Sequence, residues 1–415
     1  MSTLRPLIPL LIAAGILLGG NGLQATLIAV RGAAEGFQPS MIGWMGTSYF
    51  AGFFIGCLWI TRIMQAVGHV RAFATLAAIA SAATLMLILW IDPLVWAGVR
   101  FVTGFCFSGL FTVMESWLNQ GASNKDRARV LALYRIVDVS SVTGCQFLIP
   151  IVGTEGYAIF CIMTMMITLS LVPVSLGDRS NPVAPDEVKL DLKRAWAISP
   201  LAAIGCVAVG VTNGSFRTLA PVYAQQLGMS EANIVIFVSA GIIGSVLLQY
   251  PLGSLSDRWD RRKVLLIVTA VSMIAAFALA FLAGSNVLAN FALVFIFGAF
   301  AMTLFSLCAA HANDYAEKGE YVLVTAALML FYSIGAIAGP VIAAYVMQVF
   351  GPPALFVFTG VVYAVLIVVT IYRMFVREPV PASRRSRFTA LLRTSPLFSR
   401  LTRRSRNSSA PLAGE

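Results

Sequence analysis

Long apolar runs dominate this chain, and their length limits what it can fold into. A helix needs about 20 consecutive apolar residues to cross the hydrocarbon of a bilayer. Twelve such runs can be read, at 7–30, 41–61, 72–91, 94–117, 130–152, 157–176, 201–225, 232–252, 264–283, 288–310, 322–348 and 354–373. Of the 415 residues, 59% are hydrophobic and only 11% are charged, against about 25% charged in an ordinary soluble domain. So few charges could not cover a soluble fold of this size, and lipid is the solvent that fits. The expected fold class is therefore an all-α polytopic membrane protein with twelve transmembrane helices.

The longest polar interruption, residues 177–199, contains Asn181, Pro182, Pro185 and mixed charges. It reads as a cytoplasmic linker between a six-helix bundle at 1–176 and a second at 200–373, with a basic tail at 374–415. The apolar run that follows Arg5 and Pro6 is too long for the core of a signal peptide and is expected to be the first span.

The net charge of +11 raises the question of nucleic acid, and its distribution answers it. Basic residues occupy short segments between alternate runs: Arg62 and Arg71; Lys125, Arg127 and Arg129; Arg258, Arg261, Arg262 and Lys263; and the tail from Arg373 to Arg406. The intervening loops are nearly bare. That asymmetry follows the positive-inside rule and puts both termini in the cytoplasm, with the chain in the inner membrane of a bacterium. The segment from His311 to Glu320 departs from it, being acidic on the expected inner side. No nucleic-acid partner is expected. The tail, with Arg384, Arg385, Arg387, Phe388, Leu391 and Leu392, has two readings: a basic amphipathic stretch on anionic lipid, or a solvated extension.

Six cysteines are scattered singly within apolar runs, and there are two histidines, His69 and His311. That argues against a disulfide framework or a metal site. Neither a Walker loop nor a nucleophile–base pair stands out. No cofactor is expected, enzymatic chemistry is not expected, and the expected unit is a monomer.

The two halves also resemble each other. Asn21-Gly22-Leu23-Gln24-Ala25-Thr26-Leu27 matches Asn213-Gly214-Ser215-Phe216-Arg217-Thr218-Leu219, an offset of 192. The same offset carries Gly52 onto Gly244, and an offset of 194 carries Gly104 onto Gly298. A register held this far implies two bundles related by an axis along the membrane normal, able to rock about a central cavity.

Between spans eight and nine, Gly253-Ser254-Leu255-Ser256-Asp257-Arg258-Trp259-Asp260-Arg261-Arg262-Lys263 resembles the G-x-L-x-D-R-x-G-R-R-K loop of the major facilitator superfamily. Asp260 stands where a glycine is usual. The first-half counterpart, around Gln65 and Gly68, lacks the acidic residue. Arg100-Phe101-Val102-Thr103-Gly104 resembles the R-x-x-x-G signature of span four in that family. The Gly-Pro pair that drug/proton antiporters carry in span five is absent from Ser140–Cys145. Met114-Glu115-Ser116-Trp117-Leu118-Asn119 gives the chain the look of the YcaD-like bacterial subgroup. The resemblance covers essentially the whole chain. It implies a twelve-helix secondary transporter with a cytoplasmic gate built from Gly253, Asp257, Arg258, Arg261 and Arg262, joined by Arg127 and Arg129.

An ionisable group within a span costs about 2.5–3.5 kcal/mol on insertion scales and needs a reason to be there. Arg100 and Arg217, with Asn21, Gln24, Gln146 and Asn213, are the substrate-binding candidates. The plainer reading of Arg217 is a periplasmic-gate ion pair or a snorkelling side chain, and that of the others is a helix-to-helix hydrogen bond. Asp138 and Glu115 are the proton-coupling candidates; the plainer reading pairs Asp138 with Arg135 at i,i+3 and puts Glu115 in the cytoplasmic charge cluster. Trp44, Tyr49, Phe216 and Tyr332 are candidates for stacking on a planar ligand or for packing. The expected activity is proton- or gradient-driven movement of a small organic solute, uptake ahead of export. A vitamin such as riboflavin, which some similar facilitators import, and an organic anion are the candidate substrates. Multidrug or metabolite efflux by an antiporter is the alternative.

Overall fold

The computed structural model describes residues 7–121, 127–176, 191–317, 320–378 and 380. Most of the expected linker and the basic tail from 381 onward lie outside the described residues, as does the side chain of Arg127.

Twelve spans follow one another: Ile8–Ala34, Pro39–Val67, His69–Leu89, Pro93–Gly121, Arg127–Val152, Ala158–Leu176, Pro200–Gln226, Glu231–Arg258, Arg261–Phe281, Val287–Tyr315, Tyr321–Phe350 and Ala354–Val376. They outrun the apolar runs because a helix, once formed, keeps its backbone bonds into the interfacial layer. An even number of spans brings both chain ends to one end of the bundle, called here the terminal end; the opposite one is the far end.

Three spans are interrupted, which hydropathy does not reveal. Span five breaks at Phe147 and span six at Ser170. Each break lies three residues before a proline, Pro150 and Pro173, whose missing N–H frees a carbonyl one turn back. Span ten breaks at Met302 and Thr303, where the Thr303 hydroxyl donates to the Phe300 carbonyl at 2.7 Å and competes with the helix ladder.

Span seven is not apolar enough to qualify alone as a membrane helix. It does so together with the short helix Leu192–Ile198, from which it is bent by 112°. Ser199, at the bend, caps span seven by accepting from the Ala202 N–H. The short helix is held across the terminal end by Arg194, whose Nε donates to Glu320 at 2.7 Å.

The internal repeat reappears as packing. A Cβ built on Gly52 would meet the Phe101 carbonyl oxygen at 2.0 Å, and one on Gly104 would meet that of Tyr49 at 2.1 Å. In the second half, Gly244 meets the Phe295 oxygen at 2.3 Å and Gly298 the Gly241 oxygen at 2.0 Å. Spans two and four therefore cross as spans eight and ten do, backbone against backbone, at positions where only glycine fits. The structure is thus two pseudo-symmetric six-helix bundles.

Gly104→Ala is expected to lower thermal stability in detergent by about 1–3 kcal/mol through overpacking. Gly98→Ala, whose Cβ would enter open space, is expected to leave it unchanged. The hydrogen bond from Arg194 holds the Glu320 carboxyl below its ordinary value of 4.5. A depressed carboxylate contributes stability above its unfolded value and loses it as the pH falls through the folded one. Amide exchange over Leu192–Ile198 should therefore rise with acidification below about pH 4.5, and Arg194→Ala should abolish that dependence.

Candidate functional site

Between the bundles lies a cavity of about 530 Å³, within the usual range for small-molecule sites of roughly 300–1,000 Å³. Its walls come mainly from spans one, two and five of the first half and seven, eight and eleven of the second, with Phe111 and Thr112 of span four and Met302 at the break of span ten. The lining continues to Thr61 and Arg62, a turn or two from the terminal end of span two.

The far end is sealed by contacts between the halves. Gly43 of span two packs on Ala344 and the Pro340 carbonyl, and Gly46 packs on Thr218. The Thr47 hydroxyl donates to the Ile337 carbonyl at 2.7 Å. Gln348 accepts from the Ser40 N–H and donates to the Gln38 side chain at 3.0 Å. Thr154 donates to Glu231, and Arg31 donates to the Thr154 carbonyl at 2.8 Å while pairing with Glu35.

On the first-half wall, Asn21 accepts from the Tyr49 hydroxyl at 2.9 Å, and Gln146 accepts from the Thr26 hydroxyl at 3.1 Å. Both amides line the cavity. Gln146 sits at the proline-induced break of span five. Asp138 also lines it, bonded to Arg135 at 2.7 Å. The bland ion pair is thus present and faces the cavity as well. Glu115 is buried near the terminal end of span four, away from the lining.

Gln24 and Arg100 lie behind the wall. Gln24 is fully buried, accepts from Arg100 at 2.9 Å and donates to the Thr84 hydroxyl at 3.2 Å. The Arg100 guanidinium also lies 4.1 Å over the Tyr49 ring, a cation–π contact that offsets part of its desolvation. It reaches only a side chamber of about 30 Å³ at the sealed end. Its geometry is that of a brace joining spans one, two and four.

Span seven is arranged differently. Asn213 is 1% exposed and lines the cavity, and neither its Oδ1 nor its Nδ2 has a hydrogen-bond partner. One turn on, Arg217 lines both the cavity and the side chamber and is exposed to that space. Among the described residues it makes no hydrogen bond or ion pair. These polar groups also explain why span seven does not qualify alone as a membrane helix.

At the terminal end, Arg261 bonds Asp257 at 3.0 Å and Asp314 at 2.6 Å, tying spans eight, nine and ten together. Asp260, where the resemblance expects glycine, caps span nine by accepting from the Arg262 N–H and also holds the Arg262 side chain at 2.8 Å. Arg262 donates in turn to the Arg377 carbonyl at 2.5 Å. These partners all belong to the second half. Gly253 is buried under this cluster, whereas Arg258 and Arg129 are exposed.

The sequence profile of the Major Facilitator Superfamily matches residues 10–247 and 202–409. The chain belongs to that superfamily. It is a multi-pass membrane transporter of a small solute. An uncharacterized MFS-type transporter of Yersinia pestis is 29% identical over 381 residues, covering 89% of this chain and 95% of the relative. The uncharacterized MFS-type transporter YcaD of an Escherichia coli strain is 28% identical over 368 residues, covering 85% and 92%. Among solved structures, a mutant of the nucleoside transporter NupG superposes with a TM-score of 0.76 at 12% identity, covering 89% of this chain and all of that one. A bacterial homologue of the human lysosomal transporter Spinster, inward-facing and unoccupied, gives 0.67 at 14% identity over 97% and 98%.

Sequence reasoning passed over Gln249 and Ser333, which line this facilitator's cavity. A polar side chain beside Pro251 in span eight was the available signal for Gln249. Phe216, Tyr332 and Tyr49 line the cavity too, whereas Trp44 is 52% exposed and does not. Gln24→Leu should remove a charge-assisted bond from Arg100 and cost roughly 1.5–3 kcal/mol of unfolding stability in detergent, with solute affinity little changed. A variant of native stability would mean that Arg100 is braced by other groups.

Proposed function

We propose that this protein takes up a small organic solute across the bacterial inner membrane by alternating access, coupled to a proton gradient. The observation that carries the reading is a cavity between two repeat-related bundles, sealed at the far end by small-residue and hydrogen-bonded contacts. The arginine-bearing loops cluster at the terminal end, so the positive-inside rule assigns that end to the cytoplasm. The structure then corresponds to the inward-open state, with both termini cytoplasmic. Rocking the bundles about the buried site would open the seal and close the terminal end.

Asp138 is the proposed proton carrier. It is the one carboxylate among the described cavity-lining residues, and protonation would release Arg135 from it. Proton coupling is also the property named for a structural neighbour, the fucose:proton symporter of E. coli. Uptake is the proposed direction because span five lacks the Gly-Pro pair that drug/proton antiporters of the superfamily carry there.

Cys57 lines the cavity on span two and provides the test. A variant keeping only this cysteine should react with a membrane-impermeant maleimide in inside-out vesicles and resist it in cells whose outer membrane has been made permeable. The transported solute should slow the reaction. Labelling from the outside alone would overturn the orientation. Protection by many unrelated lipophilic cations, with no selective solute, would assign efflux instead.

A further inference from the structure

We infer that the solute is an organic monoanion, an apolar body bearing a carboxylate-like group, and that Arg217 with Asn213 forms its anion station. This rests on the cavity being the transport site.

Two arginines, Arg100 and Arg217, meet at the side chamber of the sealed end, and the protein treats them in opposite ways. Arg100 is 6% exposed and accounted for, with Gln24 at 2.9 Å and the Tyr49 ring at 4.1 Å. Arg217 makes no hydrogen bond or ion pair among the described residues, and the carboxylate of the lining, Asp138, is bonded to Arg135 instead. A guanidinium at membrane depth with no carboxylate bonded to it is costly, and such groups mark substrate paths. Asn213, one turn away on the same face of span seven, has both amide atoms buried and unpartnered. Buried amides are nearly always satisfied. An unsatisfied amide beside an unpaired cation is a site awaiting a ligand that accepts from both.

The charge of the lining points the same way. Among the described residues it holds Arg62, Arg135 and Arg217 against Asp138 alone, and the one carboxylate is already bonded to Arg135. The cavity thus carries a positive excess, which attracts anions and repels cationic drugs. A single free guanidinium presents one planar fork, the match for one carboxylate. Phe216 and Tyr332 beside it, with Phe53 and Phe111 toward the terminal end, leave apolar wall for the rest of the molecule. The position also couples binding to gating. Thr218, next to Arg217, packs on Gly46 in the seal, so an anion held here sits directly beneath the contact that must part.

The test uses the purified full-length protein in detergent. Without ligand, Arg217→Gln should leave the melting temperature unchanged or raise it, since it removes an uncompensated charge, whereas Arg100→Gln should lower it. An equal fall in both would make Arg217 a structural brace and overturn the inference. Thermal stabilisation is then titrated with benzoate, 4-hydroxybenzoate and indole-3-acetate, and with their primary amides. At least one carboxylate should give a saturable shift that its amide lacks. Its affinity should fall at least about tenfold in Arg217→Gln and less in Arg217→Lys, which keeps the charge and loses the fork. No carboxylate-specific shift overturns the inference. If the amides stabilise as well as the acids and also protect Cys57, the cavity reading stands and the anion inference falls. If a carboxylate stabilises but leaves Cys57 labelling unchanged, the reading of the cavity falls, and this inference with it.

Discussion

Hydrocarbon offers no hydrogen bonds, and every polar group that enters it must find a partner inside the protein. Much of this structure follows from that demand. Hydroxyls within spans turn back onto their own helix, as Thr112 does onto Ser108, Thr269 onto Leu265 and Ser272 onto Val268. The Tyr363 hydroxyl crosses to Thr212 at 2.8 Å, and the Tyr223 hydroxyl to Asn290 at 2.9 Å. Even a guanidinium is absorbed when an amide and an aromatic face are supplied, as for Arg100. Against that background the unmet groups of Asn213 and Arg217 stand out, because both line the cavity between the bundles.

Two grades of helix contact divide the molecule into parts that hold and parts that separate. Within each bundle, glycine crossings bring backbone onto backbone, with no side chain to slide past. Between the bundles, the seal is made by single threonine and glutamine side chains and by the small-residue faces around Gly43 and Gly46. These are contacts of modest energy each, since a typical net hydrogen bond contributes about 0.5–1.5 kcal/mol. Rigid bundles joined by a weak seam are what rocking about a central site requires. The charge cluster of Arg261, Arg262, Asp257, Asp260 and Asp314 adds to the stiffness of the second bundle, tying spans eight, nine and ten and the end of span twelve.

Much of the fold was legible in the sequence, for a simple reason. Crossing a bilayer demands a run of fixed length and polarity, and that demand is one-dimensional. The twelve spans and the inner repeat could be read directly. The breaks in spans five and six were written as Pro150 and Pro173, but a proline in an apolar run leaves hydropathy unchanged, so they went unread. The break in span ten arises from a threonine back-bond, which no residue count reveals.

The site divides along the same line. Sequence by itself determined which polar residues enter the membrane, and the repeat tied Asn21 to Asn213. It could not determine which way they face. Asn21 and Gln24 lie three residues apart, about 60° around the helix, yet one lines the cavity and the other is locked behind it on Arg100. Arg100 and Arg217 are chemically identical and similarly deep. Only tertiary packing, by fixing the rotation of each helix and the neighbours it meets, made the first a brace and left the second exposed to the cavity.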